Sequence, residues 1–260
     1  MIIGYDAKRV LRNGTGLGAY GRTLVTDMSS LVSDDTSLLL YAPDEGKADF
    51  RRQVEGLPHV AMRYPQRKKN AIGKAIWRSY GIVKALERDQ VDIFHGLSGE
   101  LPLCATQHHV KTVVTIHDLI FLRHPEFYHW IDTKIYAAKF YWTCEEAQRI
   151  IAISECTKRD IMYYGGVSED KIDVIYQSCS SRFKQRTTEQ RLAEVKARYQ
   201  LPDRYVINVG TIELRKNILQ AVQALPLLPD DVSLVVVGRA TPYTGKVKAW
   251  AEHHGLSRRV

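Results

Sequence analysis

The sequence is sparing with cysteine, and that scarcity already excludes whole classes of protein. Its 260 residues contain four, Cys104, Cys144, Cys156 and Cys179, widely spaced and with no Cys-x-x-Cys pair. A disulfide framework or thiolate metal cluster has no anchor here, so the four are expected to be reduced core thiols. Long apolar runs are missing as well. The longest, such as 232–238, fall far short of the ~20 residues that a membrane-spanning helix needs. The opening Met-Ile-Ile-Gly-Tyr-Asp has no basic stretch ahead of an apolar one, so no cleaved secretory leader and a cytoplasmic location are expected. There is no low-complexity tract. There is also no Asp-x-Asp pair to hold a divalent ion against a phosphate, and no metal cofactor is expected.

What is present is a globular balance with a surplus of positive charge, formally +8. Nucleic acid, an acidic membrane face and a phosphorylated substrate would each satisfy that surplus. The charge is concentrated between residues 63 and 78, where Arg63, Arg67, Lys68, Lys69, Lys74 and Arg78 occur without one acid. This stretch reads either as a solvated loop entering a helix or as a surface for anionic lipid head groups. In the second case Ile72, Ile76 and Trp77 are available to dip into the interface, and the inner face of the cell membrane is the expected contact.

Along the chain, strand-length apolar runs alternate with helical spacing. Strands are predicted at 1–5, 37–42, 59–63, 92–95, 111–116, 149–153 and 171–175, and helices at 17–31, 75–87, 131–147 and 155–164. Short buried strands alternating with helices imply βα units and a parallel sheet. A polar stretch follows, with Thr187-Thr188-Glu189-Gln190 resembling a helix start. Beyond Pro202 a new series opens, with strands at 205–209 and 233–237 and helices at 218–225 and 246–254. The parse is an α/β chain of two Rossmann-like domains: 1–183, a linker at 184–202, and 203–260. Two strands are too few to close a sheet buried on both faces, so the second domain is expected to be cut short.

Three constellations near strand ends carry the candidate chemistry. Gly14-Thr-Gly16-Leu-Gly18-Ala-Tyr20-Gly21 leads into the first helix, and glycines there permit close backbone approach to an anion. Gly16-x-Gly18-x-x-Gly21 also matches the dinucleotide fingerprint, but about seven residues separate it from the first strand and no acidic strand end follows ~20 residues later. His117-Asp118 ends the fifth strand and His95-Gly96 the fourth, both placed at the mouth where parallel sheets bind ligands. Each histidine is either a site residue or one satisfied in the core, and the set His95, His117, His124, Asp118 matches no standard zinc spacing. Val209-Gly210-Thr211-Ile212-Glu213-Leu214-Arg215-Lys216-Asn217 places adjacent cations at a helix start. The helix dipole disfavours cations there, which argues for a diphosphate partner over an exposed pair in solvent.

Together with Ile151-Ala152-Ile153-Ser154-Glu155-Cys156-Thr157 and the strand Val174-Ile175-Tyr176, these motifs, taken in order, resemble glycosyltransferase family 4. The resemblance implies a retaining enzyme of GT-B fold, two Rossmann-like domains facing a cleft. It would move a hexosyl group from a GDP- or UDP-sugar to a saccharide or lipid-linked acceptor, in cell-surface polysaccharide or glycolipid synthesis. Arg215, Lys216 and Gly210 would hold the donor diphosphate, with Gly16 and Gly18 approaching from across the cleft. His117 and Asp118 would act beside the reacting sugar, and Tyr20, His95, Ser154 and Glu155 would line the acceptor side or cleft wall. The Thr211–Asn217 variant is similar to mannosyl-transferring members. The family's downstream glutamate pair has no counterpart, so the 260 residues alone are expected to be inactive. A nicotinamide-dependent oxidoreductase and a non-catalytic α/β binding module are the alternatives; nucleic acid is not an expected partner.

Overall fold

A computed structural model describes residues 1–67, 70–108 and 110–260, and the chain divides into two compact units, Met1–Lys184 and Gln185–Val260. In the first, the strands are β1 (Ile2–Asp6), β2 (Ser37–Tyr41), β3 (Val60–Arg63), β4 (Ile93–Gly96), β5 (Lys111–Ile116), β6 (Arg149–Ala152) and β7 (Ile172–Val174). The helices are α1 (Lys8–Arg12), α2 (Gly16–Leu31), α3 (Ala48–Arg51), α4 (Ala71–Ile76), α5 (Ile82–Arg88), α6 (Ile120–Arg123), α7 (Trp130–Glu146) and α8 (Glu155–Gly165). The strands form one parallel sheet in the order β3-β2-β1-β4-β5-β6-β7. This is the doubly wound α/β fold that the alternating pattern predicts.

Strand period two explains why the apolar runs are nearly continuous. In β2, Leu38 and Leu40 enter one core with Ile3, Tyr5, Val10 and Val25, next to α1 and α2. Leu39 and Tyr41 enter the opposite core with Ile82, Leu86, Phe94, Phe140 and Ile161, next to α5, α7 and α8. Covered on both faces, every β2 position after Ser37 is apolar and buried.

Two departures from the expected helices matter for function. The chain between β1 and α2, read as loop, contains the short helix α1. The helix expected at 75–87 instead begins at Ala71, where the Asn70 side chain caps it, and passes through a π-helical segment, Trp77–Gly81, into α5. Trp77 is buried and Arg78 is drawn into an ion-pair cluster with Asp6 and Glu100. The expectation that Trp77 dips into a membrane is therefore corrected: it is part of the core under α5. The basic segment is also less free than its composition suggested, since Arg63 pairs with Asp89 and Lys74 with Asp44. Lys68 and Lys69 lie outside the described residues. Among the cysteines only Cys144 is buried, and Cys156 and Cys179 are exposed, which corrects the reading of all four as core thiols.

The second unit comprises α9 (Glu189–Tyr199), β8 (Arg204–Val209), α10 (Ile218–Ala224), β9 (Val232–Val237) and α11 (Pro242–His253). The stretch read as a linker carries α9, started by Thr188, whose side chain accepts from the Arg191 amide. β8 and β9 pair in parallel from Arg204 opposite Val232 to Val209 opposite Val237. Ile218, Val222, Leu225, Leu234, Val247, Ala251 and Leu256 form the core. α11 starts earlier than its apolar spacing implied because Thr241 and Thr244 close a reciprocal capping box around Pro242.

Candidate active site

In the N-terminal unit the strand order reverses between β1 and β4, the point at which open parallel sheets leave a crevice at their carboxyl ends. Asp6, His95-Gly96 and Ile116-His117 arrive there on β1, β4 and β5. Asp6 is buried and meets Arg78 of the π-helical segment, whose Nε lies 3.0 Å from Asp6 Oδ2. Arg78 also reaches Glu100, and the second Glu100 oxygen accepts from Lys139 Nζ at 3.3 Å. The paired carboxylates outweigh desolvation and hold the Arg78 guanidinium above its ordinary pKa. Glu100 moves the other way: burial opposes its charge, but Arg78 and Lys139 hold its carboxyl below the usual range.

The two histidines are held rather than free. His95 is buried, with Nε2 2.8 Å from Thr115 Oγ1, and the Tyr20 hydroxyl lies 3.0 Å from the same oxygen. Burial, with His117 nearby, lowers the His95 imidazole to a pKa of about 4. His117 Nε2 lies 2.9 Å from the Leu97 carbonyl, which can only accept, so this nitrogen carries the proton. Its Nδ1 then accepts from the Gln177 amide at 2.8 Å, and the Tyr20 ring meets it edge-on with centroids 4.8 Å apart. Burial lowers the His117 pKa, and both ring nitrogens are engaged. The ring is neutral and fixed in one tautomer, suited to positioning rather than to proton transfer.

Beside His117 opens a cavity of about 280 Å³. Asp118 lies at its edge, one carboxylate oxygen taken by the Ile120 amide at 3.2 Å. Arg9, Glu100, Phe121, Tyr136 and Lys139 are also part of its wall. The sequence reading missed all five. Tyr136 and Lys139 lay inside a segment read only as helix, although three-residue spacing puts them on one face of α7. Arg9 lay in what was read as loop.

The glycine loop has a structural explanation that the fingerprint did not contain. A Cβ on Gly18 would stand 1.9 Å from the Asn13 carbonyl oxygen, so only glycine lets α2 start this close to the end of α1. Arg22 holds the same corner by donating to the carbonyls of Val10 and Asn13 at 2.7 and 3.0 Å. Gly16, by contrast, faces open space and lines a second cavity of about 500 Å³ with Tyr20, Arg22, Gln177 and Arg182. Ser154 accepts from the Thr157 amide as the cap of α8, and the Thr157 hydroxyl donates to the His117 carbonyl at 3.2 Å. Glu155 is exposed in the first turn of α8.

In the C-terminal unit Gly210 and Gly238 end the two paired strands, and a Cβ on Gly238 would lie 1.7 Å from the Gly210 carbonyl oxygen. Gly238 was not singled out from the sequence, though it follows β9 as Gly210 follows β8. Arg215 and Lys216 occupy a single 3₁₀ turn after β8, Arg215 bonded to Glu213 at 2.7 Å with both side chains about a third exposed. Among the described residues no group of three or more His, Cys, Asp or Glu comes together to hold a metal ion, and no helix is long and apolar enough to cross a membrane.

The chain is 29% identical over 161 residues to the serotype-specific mannosyltransferase WbdA of Escherichia coli, covering 57% of this chain and 19% of that protein. It is 33% identical over 146 residues to the O-antigen chain mannosyltransferase B of Escherichia coli, covering 55% and 36%. The chain thus spans well under half the length of these curated relatives. The crystal structure of Anabaena HepE with UDP and glucose superposes with a TM-score of 0.65 at 17% identity, covering 100% of this chain and 67% of that one. At that identity the likeness speaks for the fold, which is GT-B. The profile of Glycosyltransferase Family 4 matches residues 24–178, more than half of the chain. The chain belongs to glycosyltransferase family 4.

Proposed function

We propose that this chain is part of an enzyme that moves a mannosyl group from a nucleotide-diphosphate sugar, GDP- or UDP-linked, to a saccharide or lipid-linked acceptor with retention, in cell-surface polysaccharide synthesis. The observation that carries the reading is the similarity to two E. coli mannosyltransferases within a chain of this family. The nicotinamide alternative loses its support, because Gly18 is accounted for by the Asn13 carbonyl and the loop follows α1 rather than the strand. Breaking the sugar–phosphate bond builds negative charge on the departing diphosphate, and fixed cations beside it stabilise that state. Arg215 and Lys216 take this role beside Gly210, the diphosphate replacing Glu213 as the partner of Arg215, with no metal ion needed. Gly16 and Gly18 shape the loop that opens α2 at the mouth of the N-terminal sheet. His117, neutral and fixed, orients the sugar, Asp118 stands at the cavity edge, and the leaving phosphate takes the acceptor proton.

In the protein, replacing Arg215 and Lys216 together by Ala should weaken donor binding by about 10- to 150-fold per lost charge-assisted contact. Calorimetry with the nucleotide sugar reads this directly, and unchanged affinity would remove the diphosphate assignment.

We also propose a cytoplasmic protein resting on the inner membrane face, through a narrower surface than the sequence suggested. Ile72, Ile76 and Tyr80 lie on successive turns and are 72%, 57% and 58% exposed, and Arg67 and Lys84 are exposed near them in the chain. An apolar stripe with flanking cations suits an anionic bilayer. Sedimentation with phosphatidylglycerol vesicles should be lost in Ile72→Ser/Ile76→Ser; equal binding by that variant and the parent would sink the idea.

A further inference from the structure

A further cavity, of about 500 Å³, lies at the β3 edge of the N-terminal sheet, between the residues that leave β3 and the helical stretch from Trp77 to Arg88. Tyr64 and Arg67 line it on one side, and Trp77, Gly81, Lys84 and Arg88 on the other. The last four recur every three or four positions, so they share one helical face. Trp77 supplies the apolar part of the wall, and a Cβ on Gly81 would stand 3.0 Å from its Cδ1, so glycine leaves the ring its place.

The charge in this cavity is one-sided. Arg67, Lys84 and Arg88 line it, and among the described residues no carboxylate does. Neither Arg67 nor Lys84 forms an ion pair among those residues. Arg88 donates through Nε to Asp89 at 3.0 Å, but the other oxygen of Asp89 is taken by Arg63 and the Tyr41 hydroxyl, so one carboxylate serves two guanidinium groups. Glu87 is bonded to His108. Lys84 and Arg88 stand one turn apart, where like charges repel and weaken a helix.

We infer that this cavity binds the phosphate group of an organic phosphate ester. The site lies away from His117 and does not depend on the reaction proposed above. Guanidinium groups present paired N–H donors to two oxygens of a phosphate, and an ammonium adds a compact charge, so Arg67, Arg88 and Lys84 suit one anion held between them. That anion would also relieve the repulsion between Lys84 and Arg88. The cavity beside His117 makes the contrast, since there Glu100 and Asp118 balance Arg9 and Lys139. At about 500 Å³ the space is within the ~300–1,000 Å³ typical of small-molecule sites and larger than a bare phosphate needs. The carbon body of the ester then lies against Trp77 and Tyr64. Two sources share this chemistry, a free phosphate ester and the head group of an anionic phospholipid.

The test uses the 260-residue chain with two probes, glycerol 3-phosphate in calorimetry and phosphatidylglycerol vesicles in sedimentation. Arg67→Gln/Lys84→Gln should weaken binding by about 10-fold or more. Lys134→Gln/Arg159→Gln removes the same charge from exposed positions outside the cavity and should leave binding unchanged. Ile72→Ser/Ile76→Ser should bind glycerol 3-phosphate as the parent does, so this site survives if the apolar stripe proves not to meet a membrane. Saturable binding of glycerol 3-phosphate without binding to vesicles assigns a free ester. Sedimentation that is lost in Arg67→Gln/Lys84→Gln and kept in the charge-matched control assigns a lipid head group. Binding of neither probe, equal binding by Arg67→Gln/Lys84→Gln, or an equal loss in the control would each overturn the site.

Discussion

The mouths of the two sheets solve different problems with the same residue types. At the N-terminal mouth, charge is neutralised within the protein: Arg78 sits between Asp6 and Glu100, and Lys139 closes the chain. At the C-terminal mouth, Arg215 and Lys216 stand on one 3₁₀ turn with a single, partly exposed carboxylate, Glu213, for company. The first arrangement is already satisfied and acts as scaffold. The second is under-compensated, which is what the diphosphate site proposed above calls for. Cations in a motif therefore mean different things according to whether the fold has already spent them.

The largest expected effect tests the scaffold side. Arg78→Met leaves the Asp6 and Glu100 carboxylates without their main partner, and removing one member of a buried ion cluster costs about 3–5 kcal/mol. Urea unfolding should show this as a lower midpoint at constant m-value. If the midpoint does not move, the cluster is no scaffold and the contrast between the mouths fails.

A smaller effect comes from His95. Its folded pKa is about 4, below the unfolded value of roughly 6.5. Between these, the unfolded chain takes up a proton that the folded one refuses. The stability contribution is complete above pH 6.5 and is lost as pH falls toward 4. At pH 5 the loss from this residue should be about 2 kcal/mol. Comparing urea midpoints at pH 7 and pH 5 checks it: His95→Gln should show a visibly flatter dependence, and identical slopes would mean that His95 is not the group held neutral.

The smallest effect belongs to the C-terminal mouth. Arg215→Met should change folding stability by less than about 1 kcal/mol, as expected for a partly solvated pair. A loss matching that of Arg78→Met would show that Arg215 is structural, and would erase the distinction drawn here.

Much of this was legible locally. Near-continuous runs such as Ser37–Tyr41 report two-sided burial by themselves, and the capping residues of Thr187-Thr188-Glu189-Gln190 marked the helix start that Thr188 makes. The candidate cavity was only partly legible. His117 and Asp118 were found because they end a strand, whereas Tyr136 and Lys139 come from mid-helix positions whose neighbours across the cavity are far away in sequence. The basic segment misled for the same reason: composition counts Arg78 as a surface cation, but Asp6, 72 residues away, claims it.

The sequence by itself thus determined the alternation of strands and helices, the parallel sheet and the strand-end positions of the motifs, because apolar period and turn residues are local signals; the family followed from the resemblance of those motifs taken in order. Only the tertiary structure decided which cations are already paired, that Trp77 turns inward on a π-helical segment, that Gly18 answers to the Asn13 carbonyl, and that His117 is neutral with both nitrogens engaged. Those outcomes depend on contacts between segments that are distant along the chain or meet at a tight corner. Burial then sets their energies, by making an unpaired charge or a misplaced methyl group costly.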